Sequence, residues 1–313
     1  MEDSAIQNRY SGFSRIKLFW ALSRTPHGLL DMSTPALGAL LWLGAFPPLD
    51  IIILGIITVF AGYTAVYAWN DVIDHRVDQE KARIGSLRET ENYLDAVLPR
   101  HPIAQGLLSL REGLLWALGW SLLAIIGAYW LNPVCVLIFV AGCFLEAIYC
   151  LMLKVSPFRT IVSGGVKTSG AVAAIFAVDP NPSLVYIIVL FLWLFFWEIG
   201  GQNIPADWAD IEEDRQLQAQ TIPVRLGTGY AALISLGCII LALAMNILVF
   251  YHSNLGFDPP YVIACLITGV YLLLQPALRT FMSKKRSHAM GLFNKASYYP
   301  LAMLGVVVIN LLI

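Results

Sequence analysis

The chain has 313 residues, of which 58% are hydrophobic and 13% charged, and its formal net charge is −1. Soluble domains carry about 25% charged residues, so this composition excludes one and points to an integral membrane protein. The near-neutral charge offers no basic face, and no nucleic-acid partner is expected.

Residues 1–27 come first, and are expected to hold a surface helix. From Ser14 to Arg24, SRIKLFWALSR combines Ile16, Leu18, Phe19 and Leu22 with basic residues, a pattern suited to the membrane surface. It lacks the charged, apolar and small-residue order of a cleaved signal peptide and is kept in the mature chain. Apolar runs long enough to cross a bilayer follow near 28–47, 51–70, 107–130, 133–153, 160–178, 183–204, 229–250, 260–278 and 297–313. Lys and Arg precede the first run and recur in or beside the second, fourth, sixth and eighth connections, whereas the odd-numbered connections have none. The positive-inside rule then predicts a cytoplasmic N-terminus, cytoplasmic even loops and an external C-terminus. The expected fold is an all-α integral membrane protein, one polytopic domain over 1–313. About nine transmembrane helices surround a central cavity, with cytoplasmic helical cap loops at 71–106 and 205–228.

Two acidic segments share one spacing. NDVIDHRVD places Asp71, Asp74 and Asp78 after the second run, and DWADIEED places Asp207, Asp210 and Asp214 after the sixth. On a helix, positions i, i+3 and i+7 lie within roughly 60° of arc, so three carboxylates can share a face. Oxygen-only ligands favour a hard cation such as Mg2+, which binds through carboxylates plus phosphate oxygens. The topology puts both triplets at one membrane face, able to meet over a diphosphate.

Four ionisable residues fall inside the runs: Asp31, Glu146, Lys167 and Glu198. Such groups are costly in lipid and face a cavity or a partner. At the helical rise each sits roughly 5–12 Å from the cytoplasmic helix end, which suggests a polar cavity lined by spans one, four, five and six. Lys167, in GGVKTSG, either contacts a diphosphate from below or pairs with Glu146 or Glu198. Gly164 and Gly165 mark close helix packing or the approach of backbone to a ligand. Glu198, Gln202 and Asn203 form a polar approach to the second triplet, and Gly200, Gly201 and Pro205 are expected to bend that helix end. LFLWLFFW at 190–197 is a candidate wall for an apolar passage. The five cysteines all lie in predicted spans and read as packing residues.

These segments resemble the UbiA-type intramembrane prenyltransferases. NDVIDHRVD is similar to that family's N-D-x-x-D-x-x-x-D signature and DWADIEED to its second D-x-x-D-x-x-x-D. RHPIAQG, from Arg100 to Gly106, resembles its R-P-x-x-x-G segment with one residue inserted, and TIPVRLG at 221–227 resembles the segment after the second motif. The resemblance implies two Mg2+ sites: Asn70, Asp71, Asp74 and Asp78 form the first, and Asp207, Asp210 and Asp214 the second. Arg100, Arg225 and Lys167 become diphosphate contacts. It implies transfer of a polyprenyl group from an allylic diphosphate to a lipid-soluble or aromatic acceptor such as a quinone precursor, with Glu198, Asp31 or Glu146 as proton acceptor or orienting group. A sugar phosphate, a glycerol phosphate lipid or a porphyrin as acceptor, cyclisation of the isoprenoid, and a transporter with acidic gates are the alternatives.

The 21 residues between Asp78 and Arg100 depart from the family pattern. Leu87 to Leu98 alternates charged and apolar residues at helical spacing, as an amphipathic lid or a surface elaboration would. His75 and His101 flank the insertion and read as exposed loop histidines.

Overall fold

The computed structural model describes residues 15–83, 98–255 and 259–313, and every regular element among them is helical. The proposed lid falls outside the described residues except for Leu98. The N-terminal surface segment is helix α1 (Arg15–Leu22). Its Leu18 and Leu22 pack with Val72, Ile103, Leu108 and Ala117, and Trp116 Nε1 donates to Ser23 Oγ at 2.9 Å just beyond its end. The segment therefore braces one end of the bundle.

Arg24, at φ 43°, turns the chain from α1 into α2 (Thr25–Asp31), which is followed by α3 (Ser33–Leu43). Together α2 and α3 form one interrupted run. The interruption has a local cause: Pro35 has no N–H for the Asp31 carbonyl, and the Thr34 hydroxyl donates to that carbonyl instead at 3.0 Å.

Helix α4 (Leu49–Arg83) has 35 residues, about 52 Å at the helical rise, against the roughly 30 Å of hydrocarbon in a bilayer. No Gly or Pro occurs between Gly62 and Arg83, so nothing stops the helix at the end of its apolar run. Asp71, Asp74 and Asp78 thus lie on the continuation of α4, not in a cap loop as the sequence suggested.

Helix α5 (Leu110–Leu131) begins with a capping box: Glu112 N donates to Ser109 Oγ at 3.3 Å and Ser109 N to Glu112 Oε2 at 2.9 Å. Such a cap contributes about 1 kcal/mol. Helices α6 (Pro133–Leu151), α7 (Arg159–Val178) and α8 (Leu184–Trp197) come next. After α8 the backbone widens into a π-helical turn, Glu198–Asn203, then narrows into α9 (Ile204–Ala209) and α10 (Ile211–Gln216). The chain closes with α11 (Ile222–His252), α12 (Pro259–Gly269), a second π turn at Val270–Leu274, α13 (Gln275–Ser283) and α14 (Arg286–Leu312). Among the described residues, 8 helices are long and apolar enough to cross a membrane; the interrupted α2–α3 segment supplies the remaining run.

One core gathers Leu37 and Leu41 of α3, Trp193 and Trp197 of α8, Ile239 of α11 and Tyr299 of α14. Close helix approach depends on small residues. A Cβ on Gly200 would stand 2.7 Å from Ser235 O, and one on Gly38 2.8 Å from Ala171 O. The aromatic run at 190–197 belongs to this core: Trp193 Nε1 donates to Tyr299 Oη at 3.2 Å and Trp197 Nε1 to Ala296 O at 3.0 Å. Its side chains line neither of the two principal cavities of the bundle, so its assignment as a passage wall is corrected.

Candidate active site

All six aspartates of the two triplets line one polar cavity of about 140 Å³. The first triplet shares a face of continuous helix on α4, as the spacing required. The second does not sit on one helix: Asp207 lies in the first turn of α9, Asp210 occupies the joint at φ −100°, and Asp214 lies on α10. Thr221, the residue before α11, donates to Asp214 Oδ2 at 3.1 Å and ties the adjoining TIPVRLG segment to the triplet.

Basic groups are interleaved with the carboxylates. Arg100 Nη2 lies 3.5 Å from Asp210 Oδ2, Arg159 Nη1 3.5 Å from Asp207 Oδ1, and Lys81 Nζ 3.9 Å from Asp78 Oδ1. The Arg159 guanidinium also stacks 4.0 Å over the Tyr149 ring, a cation–π contact that fixes its plane. Asp71 Oδ2 and Asp207 Oδ2 are buried with no hydrogen-bond partner among the described residues. Burial holds the Asp214 carboxyl above its ordinary range, with Lys81 opposing and Asp210 reinforcing.

His101 is not an exposed loop residue. It is buried, its Nδ1 lies 2.7 Å from Asp71 Oδ1 and 2.8 Å from Asp78 Oδ2, and its backbone takes φ 49°. Burial works against the charged ring, but the charges of Asp78 and Asp71 outweigh it and raise the pKa above the usual histidine value. The residue preceding Pro102 is thereby folded inward and pinned between two carboxylates.

A second cavity, about 250 Å³, begins where the first ends; Arg24, Asn70, Tyr149 and Ala206 line both. Arg24 Nη2 donates to Asn70 Oδ1 at 3.0 Å, and Asn70 Nδ2 donates to Glu146 Oε1 at 2.6 Å. Away from this shared wall the lining turns apolar and small, including Gly62, Ala124, Ala128, Gly142, Gly170 and Ala174. Besides spans one, four, five and six, α4, α5 and Phe293 of α14 contribute to it.

Glu198, Gln202 and Asn203 line this second cavity from the π turn. Ser163 Oγ donates to Glu198 Oε1 at 2.7 Å, Gln202 Nε2 to Ser297 Oγ at 3.1 Å, and Asn203 Nδ2 to Tyr149 Oη at 3.1 Å. Lys167 also lines it, but its partner is neither Glu146 nor Glu198: Nζ donates to Asp31 Oδ2 at 2.5 Å and to Tyr67 Oη at 2.6 Å. It lines the cavity adjoining the polar one and not the polar cavity itself. Arg225 is exposed near the start of α11 and lines neither cavity, so it is withdrawn as a diphosphate contact. Gly164 packs where a Cβ would lie 2.5 Å from Phe195 Cδ2, which resolves its role as helix packing.

Arg159, Lys81, Arg24 and His101 are the site residues that sequence reasoning missed. In sequence the first three read only as charges that orient the bundle. Arg159 carries a further signal, as the basic residue opening a span whose next charge is Lys167.

The UbiA prenyltransferase family model matches residues 32–297. The chain belongs to that family. It is 24% identical over 291 residues to a protoheme IX farnesyltransferase of Saccharophagus degradans, covering 90% of this chain and 88% of that protein. It is 26% identical to a 4-hydroxybenzoate octaprenyltransferase of Tolumonas auensis, over 71% of this chain and 74% of that one. It is 27% identical to a digeranylgeranylglyceryl phosphate synthase of Methanoregula boonei over 50% of this chain, and spans 57% of that synthase's length. Among solved structures, a UbiA homolog from Aeropyrum pernix K1 superposes with TM-score 0.72 at 20% identity, covering 90% of this chain and 97% of that one. A UbiA homolog from Archaeoglobus fulgidus bound to DMAPP and Mg2+ gives TM-score 0.64 at 16% identity, covering 93% and 99%. The UbiA fold and the membrane-embedded helical bundle are therefore established for this chain.

Proposed function

We propose that the protein transfers a polyprenyl group from an allylic diphosphate to an aromatic acceptor of the quinone-precursor kind, with its N-terminus and acidic end at the cytoplasmic face. The observation that carries this reading is the shared wall between the two cavities. A polar chamber with two carboxylate triplets adjoins an apolar one across Asn70 and Arg24, which is the division a charged head on a hydrocarbon tail requires.

The unsatisfied Asp71 and Asp207 oxygens and the crowded acid groups suit a hard divalent cation. Asp71, Asp74 and Asp78 together with Asp207, Asp210 and Asp214 would hold Mg2+, whose positive charge would neutralise a diphosphate leaving group. Arg159 and Arg100 set further positive charge around the phosphate oxygens, and Asn70 marks the level of the scissile bond. The allylic C–O bond breaks with its electron pair on the diphosphate, the acceptor carbon bonds to the prenyl C1, and the displaced ring proton passes to Glu198. Asp31 is engaged by Lys167 and Glu146 by Asn70, whereas Glu198 Oε2 has no hydrogen-bond partner among the described residues. The apolar walls exclude water from the reacting carbons.

The test is diphosphate release by the purified protein with Mg2+, a panel of allylic diphosphates and a panel of acceptors, with products identified by mass spectrometry. Asp71→Ala and Asp207→Ala should each lower turnover by about a thousandfold or more while leaving membrane insertion intact. Near-normal turnover in both variants would overturn the assignment of the triplets.

A further inference from the structure

The π turn Glu198–Asn203 presents a one-sided hydrogen-bonding inventory to the apolar cavity. Its buried, unpartnered polar atoms are Glu198 Oε2 and Asn203 Oδ1. Both are oxygens, both residues are more than nine-tenths buried, and both line the cavity. Their other polar atoms are already committed, Glu198 Oε1 to Ser163 and Asn203 Nδ2 to Tyr149. A buried acceptor without a donor is expensive, by more than a typical hydrogen bond contributes, so these two oxygens define what a ligand must bring.

The cations of the same cavity are placed against an anionic ligand. Lys167 is bound by Asp31 and Tyr67, and His27 Nε2 lies 3.7 Å from the other Asp31 oxygen. Arg24 stands at the wall shared with the polar chamber, bonded to Asn70. A carboxylate or phosphate in this cavity would meet Glu146 and Glu198, and the cations it could turn to already hold Asp31 or Asn70.

Building on the prenyl-transfer reading, we propose that the acceptor is a neutral hydroxylated compound whose hydroxyl hydrogens are given to Glu198 Oε2 and Asn203 Oδ1, and that acceptors carrying a carboxylate or phosphate are rejected. The π turn is the device that does this. Its wider hydrogen-bond spacing brings residues 198, 202 and 203 to a single wall, so that two oxygens and the Ser297-bonded Gln202 face one occupant. Rejection arises because a carboxylate or phosphate adds acceptor oxygens to a wall that already presents two, and its charge is buried beside Glu146 and Glu198.

The experiment measures binding and turnover of three probes on the full-length protein in lipid nanodiscs: hydroquinone, 4-hydroxybenzoate and glycerol 1-phosphate. Binding is followed by tryptophan fluorescence, and turnover by diphosphate release. Hydroquinone should bind at least about tenfold more tightly than either anion. Glu198→Met and Asn203→Leu should each weaken hydroquinone by about 10- to 100-fold, Asn203→Asp should restore binding, and the affinity for the allylic diphosphate should be unchanged, which also reports that the variants fold. Tighter binding of 4-hydroxybenzoate or glycerol 1-phosphate by the unmodified protein overturns the proposal, as does an unchanged hydroquinone affinity in both variants. Hydroquinone binding with the stated variant effects but without diphosphate release from any substrate pair would overturn the prenyl-transfer reading alone.

Discussion

At the scale of single residues, the site rests on buried charges held by specific partners. Lys167 and Asp31 form such a pair, with side-chain exposures of 17% and 5%. Removing one member of a buried pair strands the other and costs about 3–5 kcal/mol. Lys167→Met should therefore lower the thermal midpoint in detergent clearly, and the double variant Lys167→Met with Asp31→Asn should recover a large part of the loss. His101 gives a dependence on pH. Its folded-state pKa is raised, so the stability it contributes is fully present below the unfolded value of about 6.5 and is lost as pH rises through the folded value. Without metal, the thermal midpoint should fall over that interval, and His101→Gln should flatten the slope. Neither partnership was readable from spacing. Lys167 and Asp31 are 136 positions apart, and a histidine before a proline reads as a surface loop until the chain reversal at φ 49° is seen.

At the scale of elements, the two triplets look alike in sequence and differ in build. The first needs only an unbroken helix, and the lack of Gly or Pro after Gly62 makes that legible. The second needs a π turn, a short helix and a joint at Asp210 to reach the same cavity. Gly200, Gly201 and Pro205 signalled irregularity there, but which backbone the glycines permit depends on the facing helix, where Ser235 O comes within 2.7 Å of any Cβ on Gly200. Deleting Gly201 should convert the wide turn to ordinary helix and rotate α9 and α10 by about 100°. The expected result is loss of diphosphate release by about a hundredfold or more with membrane insertion preserved, measured on the same preparation. The aromatic run at 190–197 shows the opposite limit. Its hydropathy identifies a buried span, yet only packing against Tyr299 and Ala296 distinguishes core from passage wall.

At the scale of the whole molecule, the periodic placement of Lys and Arg was informative because it reports on every crossing at once. Basic residues in alternate connections fix the number of crossings between the triplets as even, which puts both at one end, and one cavity holds all six carboxylates. The proposed orientation predicts that a reporter fused after Ile313 is active only outside the cytoplasm, and one fused before Met1 only inside; the reverse pattern would invert the bundle. The break between α2 and α3 was not legible because Asp31, Ser33 and Thr34 are too few to interrupt the apolar run at 28–47, and the missing Pro35 N–H divides it.

The shared wall of Arg24, Asn70, Tyr149 and Ala206 also has a bearing on measurement in the ruler's sense. A molecule whose charged head is fixed on one side of that wall keeps its first carbon in register there, whatever the number of isoprene units trailing beyond it. Tail length would then be felt as partitioning, through the KM for the donor, while the position of bond formation on the acceptor stays the same from short donors to long ones.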